Sequence, residues 1–419
     1  MALDVKVKID LTKPAGKVGF GIPLILEENA ETAIEYTECT SLSDVATAGF
    51  AATNKAYKAA NLIFMQANAP KTIAVCATTG STQTWLSSID NTSKSWRQLI
   101  VVNGSSTATS VSGIMSAIEP LDGKIYFASL PVDDSTGLTV SNINRTVLFY
   151  CSAQNDEIIS GKYTMASGTY TDNNYAGEQL VTGSKYILNV DGKVTTVTAT
   201  TAEDYAQITD GTVTVKTKTG ELTVSGGGTD TYNISILNYF SGFESAALVG
   251  ATAGKNPGSI TYKNQILKGI NPQSLTDSQI TAIHKKGGLT FVTKAGDNVT
   301  TEGKVAGGEY IDIIDSQDYV IQQLEYGTQK ALNTAGRIPY DNTGIALLES
   351  VAVDVFQDAY INGIIATNDD GTPAYSVSYA PRTETTATDR AARRYLGGQF
   401  SFTLSGAIHE CEITGSIIV

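Results

Sequence analysis

Residue types able to do chemistry are sparse in this sequence of 419 residues. Histidine occurs only at His284 and His409, which limits imidazole-based acid–base catalysis and metal ligation from the outset. His409 and Cys411 alternate onto one face of a strand and offer a metal two ligands, but two ligands make no site and no second cluster lies near them. His284 precedes Lys285-Lys286 near a helix end, where a solvated cation suits the helix dipole. Cys39, Cys76, Cys151 and Cys411 are far apart, form no CxxC pair and read as buried free thiols. No metal, cofactor or catalytic residue is therefore assigned.

Other motifs also fall short of a site. Gly250-Ala-Thr-Ala-Gly254-Lys255 looks like a phosphate loop, yet it is one residue short between the glycines, lacks Ser or Thr after the lysine and meets Pro257 where a helix should start. Gly226-Gly227-Gly228 lacks dinucleotide spacing, and no GxSxG nucleophile is present. Asp312, Asp315 and Asp318 read as acidic groups at a strand-to-helix junction, and Asp369-Asp370 as part of the turn ending at Gly371. Nothing singles out a glycosidase pair among them. One charge feature stands out, the basic cluster Arg390, Arg393 and Arg394 after Asp389. It reads either as a solvated helix end or as a docking patch for an acidic partner.

The elements that would carry such groups come next. Length predicts two to four domains with ample core. A net charge of −13 and a pI near 4.7 argue against direct nucleic-acid binding. No apolar run approaches the roughly 20 residues that span a bilayer, and no secretory signal is visible, so membrane insertion is not expected and assembly in a cytoplasm is. From Val18 to Leu26 the chain reads as a buried strand, followed by a helix with Tyr57, Ala60 and Phe64 on one face and a strand from Thr72 to Cys76. A weaker helix around Trp85 to Ile89, a strand at Gln98 to Val102, a helix carrying Val111, Ile114, Met115 and Ile118, and a strand from Lys124 to Leu130 complete a βαβα alternation. That order favours a largely parallel sheet covered by helices.

Between Asn155 and Asn238 the composition shifts to Thr, Gly, Ser, Tyr and Val. Short alternating runs at Tyr186 to Val190, Val194 to Ala199, Thr212 to Thr217 and Glu221 to Ser225, separated by Asp191-Gly192, Asp210-Gly211 and Thr219-Gly220, predict an inserted antiparallel β domain. The mixed pattern then resumes with a helix from Glu244 to Val249 and a capping box at Thr276 to Gln279 ahead of Ile280 and Ile283, with Gly287 as C-cap. Strands are expected at Leu289 to Thr293 and Tyr310 to Ile313. Two amphipathic helices follow, Tyr319 to Leu332 and Gly344 to Ala359.

The two ends share one character. Val5, Val7, Ile9 and Leu11 alternate with polar residues, as do Phe400, Phe402 and Leu404, the period-2 pattern of a strand with one dry face. After Ser405-Gly406 a second strand is expected, carrying Ile408, Ile413, Ile417 and Val419. Both ends read as strands that need a sheet in this subunit or another.

Several of these stretches resemble the tail-sheath proteins of contractile bacteriophages and of phage-tail-like (R-type) bacteriocins. The resemblance lies in Pro257-Gly-Ser-Ile-Thr-Tyr262, Leu275-Thr-Asp-Ser-Gln279, the run from Glu302 to Asp312, Arg337 to Ala346, Asp389 to Arg393, and Leu404-Ser-Gly-Ala-Ile-His409, with Gly19-Phe-Gly21 and Ala69 to Ile73 nearer the start. It covers most of the chain outside Asn155 to Asn238. The resemblance implies a structural protein and no enzyme: a homo-oligomer built as a helical array of hexameric rings around an inner tube protein, with baseplate and tail-terminator proteins as further partners. It implies a place in a virion tail or tail-like particle, assembled in a bacterial cytoplasm, and terminal arms that add strands to neighbouring subunits, with Pro14 and Gly16 as a hinge. By the same analogy Arg390, Arg393 and Arg394 face the tube.

The expected fold class is α/β and α+β multidomain, a mixed-sheet core with an inserted all-β domain and terminal β arms. Its parts are an arm at residues 1–17, an α/β domain at 18–154 plus 239–290, a surface-projecting β domain at 155–238, and an α+β assembly domain at 291–419. Two other readings are a surface-array or adhesin protein and, less favoured, a polysaccharide hydrolase using an Asp/Glu pair.

Overall fold

In the computed structural model the described residues are 21–88, 95–102, 108–132, 138–152, 157–164, 170–172, 185–190, 193–198, 205–209, 212–217, 220–225, 231–238 and 240–414. The N-terminal residues Val5, Val7, Ile9 and Leu11, with Pro14 and Gly16, lie outside them, as do Ile417 and Val419.

The first half builds one sheet. Its elements are β1 (Ile22–Glu27), β2 (Ile34–Cys39), α1 (Leu42–Thr47), α2 (Lys55–Phe64), β3 (Ile73–Ala77), α3 (Thr82–Ser88), β4 (Trp96–Val102), α4 (Ala108–Ile118), β5 (Ile125–Leu130) and β6 (Thr146–Tyr150). Strands β1, β3, β4, β5 and β6 run parallel, as the βαβα order requires, and β2 closes one edge antiparallel to β3. Each parallel strand is buried on both faces, so it reads as a continuous apolar run instead of an alternating one. Alternate residues still part to opposite sides. Ile25, Val75, Ile100, Phe127 and Phe149 pack with α2, while Leu24, Cys76, Leu99, Ala128 and Leu148 pack with α3 and α4. The face that α2 buries is Ala56, Ala59, Ala60 and Ile63; Tyr57 and Phe64 lie at its margin.

Between β6 and the next helix, eight described strands pair antiparallel. They are β7 (Glu157–Thr164), β8 (Tyr170–Asp172), β9 (Lys185–Val190), β10 (Lys193–Thr198), β11 (Tyr205–Thr209), β12 (Thr212–Thr217), β13 (Gly220–Ser225) and β14 (Thr231–Asn238). They form two sheets, ordered β10-β9-β14-β7 and β13-β12-β11-β8. Asp191-Gly192 and Asp210-Gly211 lie outside the described residues, but Val190 pairs with Lys193 and Thr209 with Thr212 across them.

The chain then returns to the main sheet through α5 (Ser245–Thr252), a helix buried on every side. Gly250 permits that burial: a Cβ there would stand 2.6 Å from the Ile63 backbone of α2. The phosphate-loop lookalike is thus a helix–helix contact. Next come α6 (Asp277–Lys285), with the expected capping box, then β15 (Gly288–Lys294) and β16 (Asp297–Thr300). Thr276 N donates to Gln279 Oε1 at 2.9 Å, and Gly287 takes a φ of +73° just beyond the helix. Strand β15 runs parallel to β6 and β16 antiparallel to β15, giving an eight-stranded mixed sheet ordered β16-β15-β6-β5-β4-β1-β3-β2.

The remainder holds α7 (Ile311–Thr334), α8 (Asn342–Ile361), β17 (Tyr375–Tyr379), α9 (Ala387–Ala391) and β18 (Gly398–Phe402). Two expectations are corrected here. Tyr310 to Ile313 is no strand: Tyr310 is the N-cap of α7, and the three-residue spacing of Asp312, Asp315 and Asp318 puts carboxylates along one helical face. Gly406 to Thr414 is not strand in the single chain, since a strand needs a partner for its backbone groups and the described residues supply none. On α7, Ile321 and Leu332 are exposed, and Val320 and Leu324 carry its contact with the C-terminal cluster.

Candidate assembly site

Two features of the C-terminal part combine into a site: a charged tie that fixes α7 on the main sheet, and an aromatic platform from which the last residues leave the molecule. The tie centres on Arg97 of β4, 3% exposed. Its guanidinium donates to Asp315 Oδ1 at 2.5 Å, to Asp318 Oδ2 at 2.7 Å and to the Gly123 carbonyl at 2.8 Å. Arg145 grips both oxygens of Asp318, with 2.9 Å to Oδ1, and the Tyr262 hydroxyl donates to Asp315 Oδ2 at 2.6 Å. Burial works against charge on Arg97, but the two carboxylates outweigh it and its pKa moves up. Burial, then Asp315, pushes the Tyr262 phenol upward, so it stays a donor. The planar fork of arginine suits such bidentate contacts, which a lysine would not reproduce.

Asp312 was grouped with these aspartates in the sequence, yet it joins no arginine. Burial raises its pKa, and it lines the groove beside the C-terminal tail. Asp315 and Asp318 are committed to arginines, and Asp370 accepts from the Thr372 backbone and hydroxyl, so none of these three is an open carboxylate. Among the described residues no group of three His, Cys, Asp or Glu is placed to hold a metal, and no helix is long and apolar enough to cross a membrane.

Lys124 stands next to the tie. Its Nζ donates to the Trp96 carbonyl and lies 4.4 Å from the Trp96 ring centroid. Burial, aided by the charge of Arg97, pushes its pKa down to about 8. The folded state then releases a proton that the unfolded chain holds until about pH 10.4, so stability rises with pH across that window and is flat below it. Replacing Lys124 by methionine is expected to remove about 1–2 kcal/mol of stability gain between pH 8 and 9.5, measured as denaturant midpoints of the two proteins against pH.

The platform is built around Phe356 of α8, fully buried. Its ring stacks on Tyr375 at 5.5 Å and meets Phe400 at 5.1 Å and Phe402 at 5.6 Å. The expected dry face of Phe400, Phe402 and Leu404 therefore exists, although Phe400 stays half exposed. Beyond β18, Leu404 bridges Ile365 and Ser405 N donates to the Ile364 carbonyl at 2.8 Å. Gly406 then turns at a φ of +43°. His409 Nε2 lies 2.7 Å from Thr261 Oγ1, its ring meets Tyr310 edge-on at 4.9 Å, and Glu410 reaches Lys263 at 3.6 Å. Ile408 and Ile413, at 90% and 89% exposure, stand clear of the described residues.

Other sequence expectations resolve as follows. His284 is no solvated cation: Nε2 is 2.9 Å from Thr301 Oγ1, and burial lowers its pKa against the pull of Glu302. Cys39, Cys76 and Cys151 are buried thiols, whereas Cys411 is exposed. Arg390 donates to Thr385 and Arg394 pairs with Asp389 at 3.0 Å, so only Arg393 is left pointing outward without such a contact among the described residues. The buried tie itself was missed, because Arg97 and Arg145 lie 173 to 221 positions from their carboxylates. The three-residue spacing of the aspartates was its one visible sign.

The fold is similar to those of several solved structures. It is similar to the helical sheath of the anti-feeding prophage (AFP) in its contracted state, with a TM-score of 0.60 at 13% identity over 99% of both chains. A chain of the AFP baseplate gives 0.58 at 12% identity over 100% of both. The PVC sheath complex of an extracellular contractile injection system, contracted, gives 0.58 at 10% identity over 95% of this chain and 91% of that one. No family model and no curated protein matches the sequence. The chain thus has the fold of contractile sheath subunits.

Proposed function

We propose that this chain is a structural subunit of a contractile sheath, polymerising as stacked hexameric rings around an inner tube and contracting to drive that tube through a cell envelope. The observation that carries the reading is the likeness of fold along essentially the entire chain to sheath subunits solved in assembled particles. The chemistry of the molecule supports it. Asp315 and Asp318 are committed to arginines, and apolar side chains of the tail stand in solvent where a second copy of the chain would cover them.

In this reading the Arg97 tie and the aromatic platform hold the main sheet and the C-terminal helices as one body, while the arms link bodies into a mesh. An arm strand of five or six residues adds backbone hydrogen bonds worth roughly 1 kcal/mol each, and alternate side chains enter pockets. Bodies can then rotate against one another without the mesh parting, with Pro14 and Gly16 as the hinge of the N-terminal arm. The energy of contraction is the difference between two packings of the same subunit, so firing needs no nucleotide. The strands from β7 to β14 form an inserted β domain that projects from the outer surface, where an insertion does not obstruct the lattice. Arg393, with Arg390 and Arg394, faces the tube. Baseplate and terminator proteins cap the polymer, which belongs to a phage tail or tail-like particle assembled in a bacterial cytoplasm.

Expressing the chain alone, pelleting it at high speed and viewing it by negative stain tests the reading. Hollow tubes with a regular axial repeat are expected; a protein that stays in the supernatant as a monomer at every concentration removes it.

A further inference from the structure

The tail does not leave the body at Phe402. It runs a further stretch across the groove between the 258–263 loop and the start of α7, where His409 is turned into the groove and the exposed Glu410 reaches Lys263 at its rim. His409 is the only residue from Gly406 to Thr414 that is not exposed. Its Nδ1 is buried without a hydrogen-bond partner among the described residues. The Tyr310 ring closes one side, and Lys263 to Glu410 forms an ion pair just beyond. Charged groups around the ring are Asp312, Glu302 and Glu410 against Lys263 and Lys304, a mixed set with one more carboxylate than ammonium.

From these contacts we infer that His409 is the seat of the C-terminal arm: it fixes the arm's root on its own subunit and so sets the direction in which residues from Cys411 onward reach a second copy of this chain. Flanking side chains fit this role. Ile408 points away into solvent on one side of the seat and Ile413 beyond it, so the apolar surface is displayed while the histidine is docked. An unseated arm would search all directions and pay that lost freedom at each addition, whereas a seated one is pre-organised. The consequence for assembly rests on the sheath reading; the seat itself does not.

Cys411 provides the test, because the other three cysteines are buried. A nitroxide on Cys411 of the full-length, unassembled protein is expected to give a restricted spectrum. In His409→Ala and Thr261→Val the mobile component is expected to grow by roughly tenfold relative to the restricted one, the worth of one hydrogen bond and a ring contact. Thermal midpoints should stay close to wild type, and tube growth should slow. A wild-type label as mobile as in the variants overturns the seat, and a freed label with unchanged growth overturns its role in assembly. A restricted wild-type label in a protein that never forms tubes upholds the seat and removes the sheath reading instead.

Discussion

Replacing Asp318 by alanine is expected to destabilise the protein by about 3–5 kcal/mol. Asp318 is 7% exposed and is shared by Arg97 and Arg145, so its removal leaves positive charge with too few acceptors at the junction of α7 with the sheet. The cost comes from uncompensated buried charge and not from the attraction lost. Two comparisons separate these causes. The pair of Asp389 and Arg394 is a single contact at 3.0 Å open to solvent, and Asp389→Ala is expected to shift stability far less than Asp318→Ala. The double variant Arg97→Met with Asp318→Leu removes one charge of each sign but leaves Asp315 with only the Tyr262 hydroxyl and Arg145 without its carboxylate, so it is expected to recover only part of the loss. Urea midpoints of the four proteins measure all of this. An Asp318→Ala midpoint within error of wild type would show that the tie does not hold α7 in place.

Removing residues 406–419, or residues 1–12, is expected to abolish tube formation while leaving the body folded. The described part of the C-terminal arm buries little beyond His409, so its loss costs folding little. Each lattice contact, by contrast, would lose a whole strand's worth of hydrogen bonds, several kcal/mol. Because a polymer repeats that contact at every subunit, the critical concentration should rise by orders of magnitude. The readings are the far-ultraviolet circular dichroism and melting temperature of the truncated proteins, beside their pelleting. Tubes that persist after both deletions would sink the strand-exchange account.

Much of this was legible in the sequence where local pattern decides. The apolar runs of β3, β4 and β5, the capping box of α6 and the long helix from Asn342 to Ile361 follow from spacing and end signals alone. So does the Phe400 and Phe402 face, whose partner Phe356 sits on that helix. Legibility fails where distant groups decide. Tyr310 to Ile313 reads as a strand by composition, but what places Asp315 and Asp318 is a pair of arginines on the opposite part of the chain. The edge strands β2 and β16 carry polar residues that resemble loop sequence, since an edge needs less apolar surface than a central strand. His284 illustrates a third kind of failure. Its neighbours Lys285 and Lys286 suggest solvent, whereas the turn that follows α6 tucks the ring against Thr301. At the arm, strand-like alternation was readable, but strand structure is a property of two partners, and one chain supplies only half.

The central claim is that the exposed tail of one subunit becomes a strand in another. A cryo-electron microscopy map of the assembled tube, refined to a resolution that traces the backbone, tests it most directly. The expected map shows hexameric rings stacked helically, with residues 406–419 crossing to a neighbouring subunit and hydrogen-bonding to the sheet of β17 and β18 there. Rings joined only through side-chain contacts, with that segment folded back on its own subunit, would contradict it.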